Sequence, residues 1–305
     1  SSARTTNIFA AVDYMPTATG SPLRYHNTTG SHEQAVILIN AYGVPLDFWE
    51  PIVETLAPCY DVYAPEFTAS GARAVTSEFN ADVDDIVALA HDIGKPVHLV
   101  SWCSGAMLAA VAATRVESLV SSTFIGGGFI LDERVTPLRE VATTANRLYE
   151  RVAENEATGR TLFNFLFRNM RTNMRANAGS PEKDVDFIMS TVNPAYLEWI
   201  STIFCDFPTF RSYAIKQVHL WRSPIDAYLP HMRGRKLFMI GQDDATADPR
   251  VTVEVAQRVQ NADCWLVDDA DHYMLHSDSR VTTRLEQFLA VARHDMDSLH
   301  VAKLV

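Results

Sequence analysis

Short apolar runs alternate with amphipathic stretches along most of the chain. Residues 34–40 (QAVILIN) form a continuous apolar run, which is typical of a strand buried on both faces of a parallel sheet. Shorter β-rich runs predict further strands at 61–64, 97–100, 119–125, 236–240 and 264–267. Because helical stretches separate these runs, we expect βαβ units around a mainly parallel sheet.

Apolar residues at helical spacing predict helices between or after these strands, at residues 76–93, 104–113, 251–259 and 281–293. From residue 135 to 231 the same periodicity continues without a good strand. Long connections of this kind are often functional. We therefore predict an α/β core formed by residues 1–132 and 233–305, interrupted by an α-helical lid over residues 133–232.

Composition narrows the possible functions. The chain has 305 residues, of which 47% are apolar and 21% are charged, as in soluble proteins with a substantial core. Its net charge of −11 repels phosphate backbones, so we expect no nucleic-acid partner. No apolar run reaches the roughly 20 residues that span a bilayer, and the first residues lack a signal-peptide layout. These features predict a cytoplasmic protein without a membrane partner.

The four cysteines show no paired spacing and no Cys/His cluster, so we expect no metal site and no cofactor. Cys59, Cys205 and Cys264 are expected to be small buried side chains, as free cysteines usually are. Cys103 differs because of its sequence neighbours.

Cys103 is the central residue of SWCSG, which lies between a predicted strand and a predicted helix. A nucleophile elbow has the pattern G-x-S-x-G, because its strained turn needs small residues two positions either side of the nucleophile. Ser101 and Gly105 meet that demand. The turn would place Cys103 at a helix N-terminus, whose partial positive charge favours a thiolate. A core cysteine in an ordinary turn would look the same, so the assignment depends on three further segments.

The first segment is INAYG, residues 39–43. The turn after this strand should supply one backbone N–H of an oxyanion hole, and the residue after the nucleophile should supply the other. That reasoning predicts Tyr42 and Ser104 as the two donors.

The second and third segments supply an acid and a base. The strand end IGQDD favours Asp244 as the acid, with Asp243 and Asp248 as competitors and Asp132 as an option one strand earlier. The loop DDADHYMLH favours His272 as the base, with His276 second. Nucleophile, acid and base then follow each other in the chain order of an α/β-hydrolase.

These segments resemble the α/β-hydrolase superfamily over nearly the full length of the chain. The cysteine elbow looks like that of dienelactone hydrolases and polyhydroxyalkanoate synthases, and INAYG and SWCSG also resemble thioesterase-like hydrolases and acyltransferases of biosynthetic pathways. The resemblance implies an α/β-hydrolase fold with a mainly parallel sheet, flanking helices and an inserted helical lid. Four positions depart from the common pattern. Asn40-Ala41 replaces His-Gly, Ser101 replaces the first elbow glycine, and Asp271 replaces the glycine before the histidine.

A cysteine nucleophile favours acyl transfer over simple ester hydrolysis. An acyl-cysteine is a thioester, so an acyl group taken from a thioester donor stays activated for a second attack. We therefore expect a thioesterase-like acyltransferase or cyclase, with an acyl thioester on CoA or a carrier protein as partner. The apolar residues Trp102, Phe163, Phe167 and Trp199 are the predicted contacts of the acyl group.

Two other functions stay open. One is a cysteine-dependent hydrolase of a small ester or lactone, which a tight pocket with an anion-binding arginine would favour. The other is a ligand-binding protein without catalysis. Arg168, Arg171 and Arg175 are spaced to share one helix face. They are either a phosphate contact beside the pocket or a solvated basic face.

Overall fold

The computed structural model describes residues 8–17, 22–67, 79–171, 199 and 202–302. Its sheet has eight strands in the order β1-β2-β4-β3-β5-β6-β7-β8. The strands are β1 (Ala11–Met15), β2 (Leu23–Asn27), β3 (Ala35–Ile39), β4 (Asp61–Pro65), β5 (Val97–Trp102), β6 (Leu119–Ile125), β7 (Arg235–Gly241) and β8 (Ala262–Val267). Strands β3 to β8 pair in parallel, whereas β1 pairs with β2 and β2 pairs with β4 in antiparallel orientation. The prediction of a mainly parallel sheet is confirmed.

The described helices are α1 (Glu50–Leu56), α2 (Phe79–Ile93), α3 (Gly105–Ala112), α4 (Glu140–Glu154), α5 (Glu156–Arg171), α6 (Phe207–Trp221), α7 (Pro249–Arg258), α8 (Met274–Ser277) and α9 (Ser279–Ala302). Short 3₁₀ turns occupy Leu46–Trp49, Thr202–Phe204 and Leu229–His231. The N-terminal hairpin β1–β2 was not predicted, because it lies at the sheet edge and exposes most of β1. A strand exposed in this way carries no continuous apolar run.

Successive side chains of β3 point to opposite faces of the sheet and contribute to both hydrophobic layers of the core. Ala35, Ile37 and Ile39 pack on the face that α2, α3 and α7 cover. Val36 and Leu38 point to the opposite face and pack with α1 and α9. A parallel strand that is buried on both sides has no polar face, which explains why its sequence reads as an uninterrupted apolar run.

Between β6 and β7 the described residues form helices and turns only. Helices α4, α5 and α6 pack together around a core of their own. That core contains Leu148, Val152, Leu162, Phe204, Phe207 and Phe210. We refer to this segment as the helical insertion. It lies where the lid was predicted, and the division of the chain at residues 132 and 232 stays a prediction.

The cysteines other than Cys103 are placed differently from the expectation. Cys59, Cys205 and Cys264 are all exposed, and Cys103 is partly buried. Cys264 lies on β8, which ends the sheet and exposes several of its side chains, and the other two lie in turns. None of the described helices is long and apolar enough to cross a membrane.

We expect Gly105→Ala to lower stability strongly. A Cβ atom at this position would overlap the backbone oxygen of Ile39 and lie 2.7 Å from that of Asn40, and neither main chain can move without disturbing β3. Overpacking of this kind costs about 2–3 kcal/mol. Urea unfolding followed by tryptophan fluorescence measures the loss.

Gly94→Ala is the matched control. Its φ is +66°, but no atom comes closer than 3.9 Å to the added Cβ. The substitution should therefore lower the free energy of unfolding only through the strain of the left-handed backbone, by about 1 kcal/mol. Equal unfolding midpoints for the two variants would contradict the close approach of α3 to β3.

Candidate active site

Cys103 lies on a strained turn between β5 and α3. Its φ of +51° is in the left-handed region, which is costly for a residue with a side chain. Two backbone hydrogen bonds maintain this strained conformation. The Cys103 N–H donates to Ile125 O at 3.2 Å, and the Gly128 N–H donates to Cys103 O at 2.9 Å. The side chain is thereby presented above the strand ends, as a nucleophile elbow requires.

His272 and Asp244 form a buried pair beside this turn. His272 Nδ1 lies 2.8 Å from Asp244 Oδ2, and both residues are at most 3% exposed. The other carboxylate oxygen, Oδ1, accepts the backbone N–H groups of Thr246 and Ala247 at 2.9 and 2.8 Å. Because Oδ1 is occupied in this way, the carboxylate is fixed in orientation and presents Oδ2 to the imidazole.

The second ring nitrogen, Nε2, is buried and has no hydrogen-bond partner among the described residues. Burial by itself would lower the pKa of His272, but the charges of Asp244 and Cys103 and the hydrogen bond to Asp244 raise that pKa well above its usual value. Cys103 is therefore close enough to affect the imidazole. An imidazole held in this environment is a good proton acceptor for the thiol.

His272 is hydrogen-bonded to none of the competing acids, although Asp248 lines the same cavity, and the second histidine has a different packing partner. Asp243 is exposed, and Asp248 caps α7 by accepting the Arg250 N–H at 3.0 Å. Asp132 pairs with Arg134, which lowers the pKa of Asp132 to about 2. The His276 ring packs against Phe48, with 4.6 Å between ring centroids. The structure therefore brings Cys103, His272 and Asp244 together and none of these alternatives.

The predicted oxyanion donors, Tyr42 and Ser104, both line a cavity that also contains Cys103. Asn40 braces the turn that carries Tyr42: its Nδ2 donates to Val44 O at 3.2 Å, and its Oδ1 accepts the Ala41 N–H at 2.8 Å. A Cβ atom on Gly128 would lie 3.4 Å from the Ser104 nitrogen. A glycine at position 128 thus keeps space open beside that N–H.

The cavity has a volume of about 250 Å³ and mostly apolar walls. The core contributes Trp102, Phe129 and Ile130 among others, and the helical insertion contributes a comparable number of residues, including Ala145, Leu148, Phe204 and Trp221. Trp102 also has a structural contact, because its Nε1 donates to His272 O at 3.1 Å. The cavity is therefore formed jointly by the core and the insertion.

Two predicted substrate contacts lie away from the described cavity wall. Phe163 packs against Phe207 and Phe210 inside the insertion, with centroid distances of 5.9 and 5.6 Å. Trp199 packs against the rings of Phe48 and His276. Aromatic residues of an amphipathic helix first fill the core of their own helix group, which explains Phe163. The side chains of Phe167, Arg168 and Arg171 and the whole of Arg175 lie outside the described residues.

Sequence reasoning missed several polar residues of the cavity, among them Arg139, Tyr149 and Tyr213. Arg139 Nη1 donates to Asp244 O at 3.1 Å, and its Nε lies 3.9 Å from Asp248 Oδ2. Burial raises the pKa of Tyr149 to about 12, against a smaller lowering by Tyr213, and the Cys103 charge adds to the rise. These residues belong to no motif and have no sequence signal beyond helical periodicity.

Among the described residues, no three His, Cys, Asp or Glu side chains cluster in a way that could hold a metal ion. Cys103 and His272 line the cavity together with Tyr42 and Ser104, and Asp244 is hydrogen-bonded to His272. Such a set of groups can carry out acyl transfer.

Comparison with solved structures finds the same architecture in several enzymes. A thermophilic esterase from Thermogutta terrifontis is 18% identical, with a TM-score of 0.68 over 93% of this chain and 99% of that chain. The enol-lactonase from Burkholderia xenovorans is 16% identical, with a TM-score of 0.63 over 91% and 100%. A haloalkane dehalogenase from Bradyrhizobium elkani is 15% identical, with a TM-score of 0.66 over 93% and 99%. At these identities the likeness concerns the fold.

A search of curated proteins gave no significant match. The sequence model of the alpha/beta hydrolase family, by contrast, matches residues 36–284. That range begins in β3, ends in α9 and contains Cys103, Asp244 and His272. Sheet topology, the turn at Cys103 and the family match agree, and the chain belongs to the alpha/beta hydrolase family.

Proposed function

We propose that this protein is an acyl-transfer enzyme that works through an acyl-cysteine on Cys103. One observation carries the proposal: a cysteine with a φ of +51° lies at the base of a cavity beside His272, whose Nδ1 is bonded to Asp244. A cysteine that merely fills a core needs neither the strained turn nor the buried imidazole–carboxylate pair.

The first half-reaction transfers the acyl group to the enzyme. His272 Nε2 takes the thiol proton, and Cys103 Sγ forms a bond to the acyl carbonyl carbon. The carbonyl π electrons move to oxygen, where the N–H groups of Tyr42 and Ser104 stabilise the charge. When the carbonyl re-forms, the bond to the leaving thiol breaks and that thiol takes the proton from His272.

The second half-reaction passes the acyl group on. His272 removes a proton from an alcohol, amine or other acceptor, which attacks the acyl-cysteine carbonyl. The C–Sγ bond then breaks, and Cys103 leaves as a thiolate that the imidazolium reprotonates. The raised pKa of His272 favours the thiolate–imidazolium pair at the start and end of this cycle.

The choice of donor follows from the nucleophile. Transfer from one thioester to another changes the free energy little. The donor thioester and the acyl-cysteine are therefore similar in free energy, and neither accumulates at the expense of the other. We propose CoA or a carrier protein as the partner that brings the acyl group. The described cavity, about 250 Å³, is smaller than the roughly 300–1,000 Å³ of drug-sized sites, so its described walls favour a compact acyl chain.

A second candidate function is hydrolysis of a small ester or lactone that carries an anionic group. Arg139 favours it, because this cation lines the cavity and its Nη2 is buried without a hydrogen-bond partner among the described residues. A substrate carboxylate would complete the coordination of that guanidinium. Enol-lactonase is also one of the enzymes that share the fold. Product analysis with and without an added amine or alcohol acceptor separates transfer from hydrolysis.

We expect Cys103→Ala to abolish turnover of an acyl N-acetylcysteamine thioester, by about 10⁴-fold or more, because the covalent intermediate cannot form. Cys103→Ser should also be slower than the parent, because its ester intermediate is a deeper trap. Intact-mass spectrometry should show an acyl adduct on the parent only at Cys103. Cys264→Ala, which removes an exposed cysteine, is the control, and near-parental activity of Cys103→Ala would refute the proposal.

We expect Asp244→Asn to move the acidic limb of Cys103 alkylation by iodoacetamide to higher pH. In the parent, the Asp244 charge raises the pKa of His272 and stabilises the imidazolium that accompanies the thiolate. Removing that charge lowers the pKa of His272, so the imidazolium is lost as the pH rises and the thiol must ionise at higher pH without a cationic partner. Turnover should fall by about 10³–10⁴-fold.

Asp243→Asn is the matched control for this experiment, since Asp243 is adjacent in sequence but exposed. Its alkylation profile should coincide with that of the parent. A profile that is unchanged in Asp244→Asn, or shifted equally in both variants, would show that Asp244 does not act through His272.

The proposed phosphate contact is tested by reversing two arginines. We expect Arg168→Glu/Arg171→Glu to raise KM for an acyl-CoA severalfold, because phosphate and carboxylate repel each other. KM for the N-acetylcysteamine thioester of the same acyl group should not change, since that donor has no phosphate. Equal effects on both donors, or no effect on either, would identify these arginines as a solvated surface.

A further inference from the structure

The hydroxyl of Tyr42 is hydrogen-bonded to a buried ion pair between Asp82 and Lys216. That hydroxyl donates to Asp82 Oδ2 at 2.6 Å, and Lys216 Nζ donates to the same oxygen at 2.9 Å. Lys216 Nζ also lies 4.7 Å from the centre of the Tyr42 ring. All three residues are at most 3% exposed, so these contacts are shielded from solvent and from salt.

These three residues come from three separate parts of the molecule. Tyr42 lies in the turn after β3, Asp82 in the first turn of the core helix α2, and Lys216 in α6 of the helical insertion. The ion pair therefore crosses from the core to the insertion, and the turn that carries the proposed oxyanion donor is attached where the two meet.

Stability alone gives no reason for this arrangement. A buried ion pair loses hydration on both partners, and apolar residues of similar volume usually serve a core as well or better. A charged pair does fix one geometry, because each partner must keep the other within hydrogen-bond distance. The hydrogen bond from Lys216 also holds the Asp82 carboxylate where it accepts the Tyr42 hydroxyl.

The next residue of the same turn has a second attachment to the insertion. The Thr202 hydroxyl donates to Gly43 O at 2.6 Å. Gly43 has a φ of +75°, and a Cβ atom there would lie 2.6 Å from Ile203 Cγ1. The insertion thus contacts the main chain at residue 43 and, through Lys216 and Asp82, the side chain at residue 42.

We propose that Lys216 and Asp82 are positioning residues that hold the Tyr42 N–H in line with the carbonyl oxygen at Cys103. This inference rests on the proposed function. Oxyanion donors must lie about 2.7–3.1 Å from the developing charge, and a displacement of about 1 Å can slow a reaction by about 100-fold. The insertion then contributes to catalysis through the oxyanion turn, in addition to forming the wall of the cavity.

The test compares two double variants that both lack the buried charges. Asp82→Leu/Lys216→Met leaves Tyr42 with no acceptor, whereas Asp82→Asn/Lys216→Met keeps an amide oxygen that accepts the hydroxyl. Two reactions of Cys103 are then measured in each variant. Acylation by p-nitrophenyl acetate passes through an oxyanion, and alkylation by iodoacetamide does not.

For Asp82→Leu/Lys216→Met we expect acylation to slow by about tenfold, while alkylation stays within about twofold of the parent because it forms no oxyanion. For Asp82→Asn/Lys216→Met we expect acylation within about threefold of the parent, because the Tyr42 hydrogen bond is restored. If Asp82→Leu/Lys216→Met does not fold, Tyr42→Phe replaces it, since that variant keeps the ion pair and should show the same slowing of acylation alone.

Three results would overturn the positioning role. They are unchanged acylation in Asp82→Leu/Lys216→Met, an equal fall of acylation and alkylation, and equally slow acylation in the two double variants. A parent protein that is alkylated at Cys103 but never acylated would instead refute the proposed function, and this inference with it.

Discussion

The close approach of α3 to the end of β3 is the constraint on which the site depends. Gly105 has no room for a side chain against the main chain of Ile39 and Asn40, so helix α3 can begin directly above the strand ends. The chain has only two residues in which to turn from β5 into that helix, and Cys103 takes the left-handed conformation that this requires. The reactive position of the thiol is thus a consequence of backbone packing, which the hydrogen bonds to Ile125 and Gly128 maintain.

Two buried histidines of this protein have pKa values shifted in opposite directions, and the charge of their neighbours explains the difference. His98 is surrounded by the neutral groups of Gln34 and Ser121, and burial lowers its pKa to about 3. His272 is equally buried, but the Asp244 carboxylate and the Cys103 side chain outweigh the loss of hydration and raise its pKa. The same residue type therefore has a lowered pKa in β5 and a raised pKa beside Cys103. The carboxylate partner, and not burial, makes the difference.

The helical insertion is joined to the site through polar contacts at several points. Arg139, just before α4, donates to the main chain of Asp244. Lys216 on α6 reaches Asp82, and Thr202 reaches Gly43. The acid loop and the oxyanion turn thus each contact the insertion, whereas Cys103 itself is held by the sheet. A core that presents the nucleophile and an insertion that borders the groups around it form one site only when the two pack together.

The sequence by itself determined the parallel sheet, because strands buried on both faces must be apolar throughout, as residues 35–39 are. The elbow spacing and the chain order also predicted that Cys103, Asp244 and His272 act together, and the structure places the three side by side. The N-terminal hairpin β1–β2 leaves no such pattern, because β1 is an exposed edge strand, and it was missed. Only the tertiary structure decided which side chains meet across long sequence separations. It placed Phe163 in the core of the insertion and Arg139, Tyr149 and Tyr213 in the cavity, and it joined Tyr42 to Asp82 and Lys216. Helical periodicity shows that a face is buried, but the packing of one helix on another determines what that face touches.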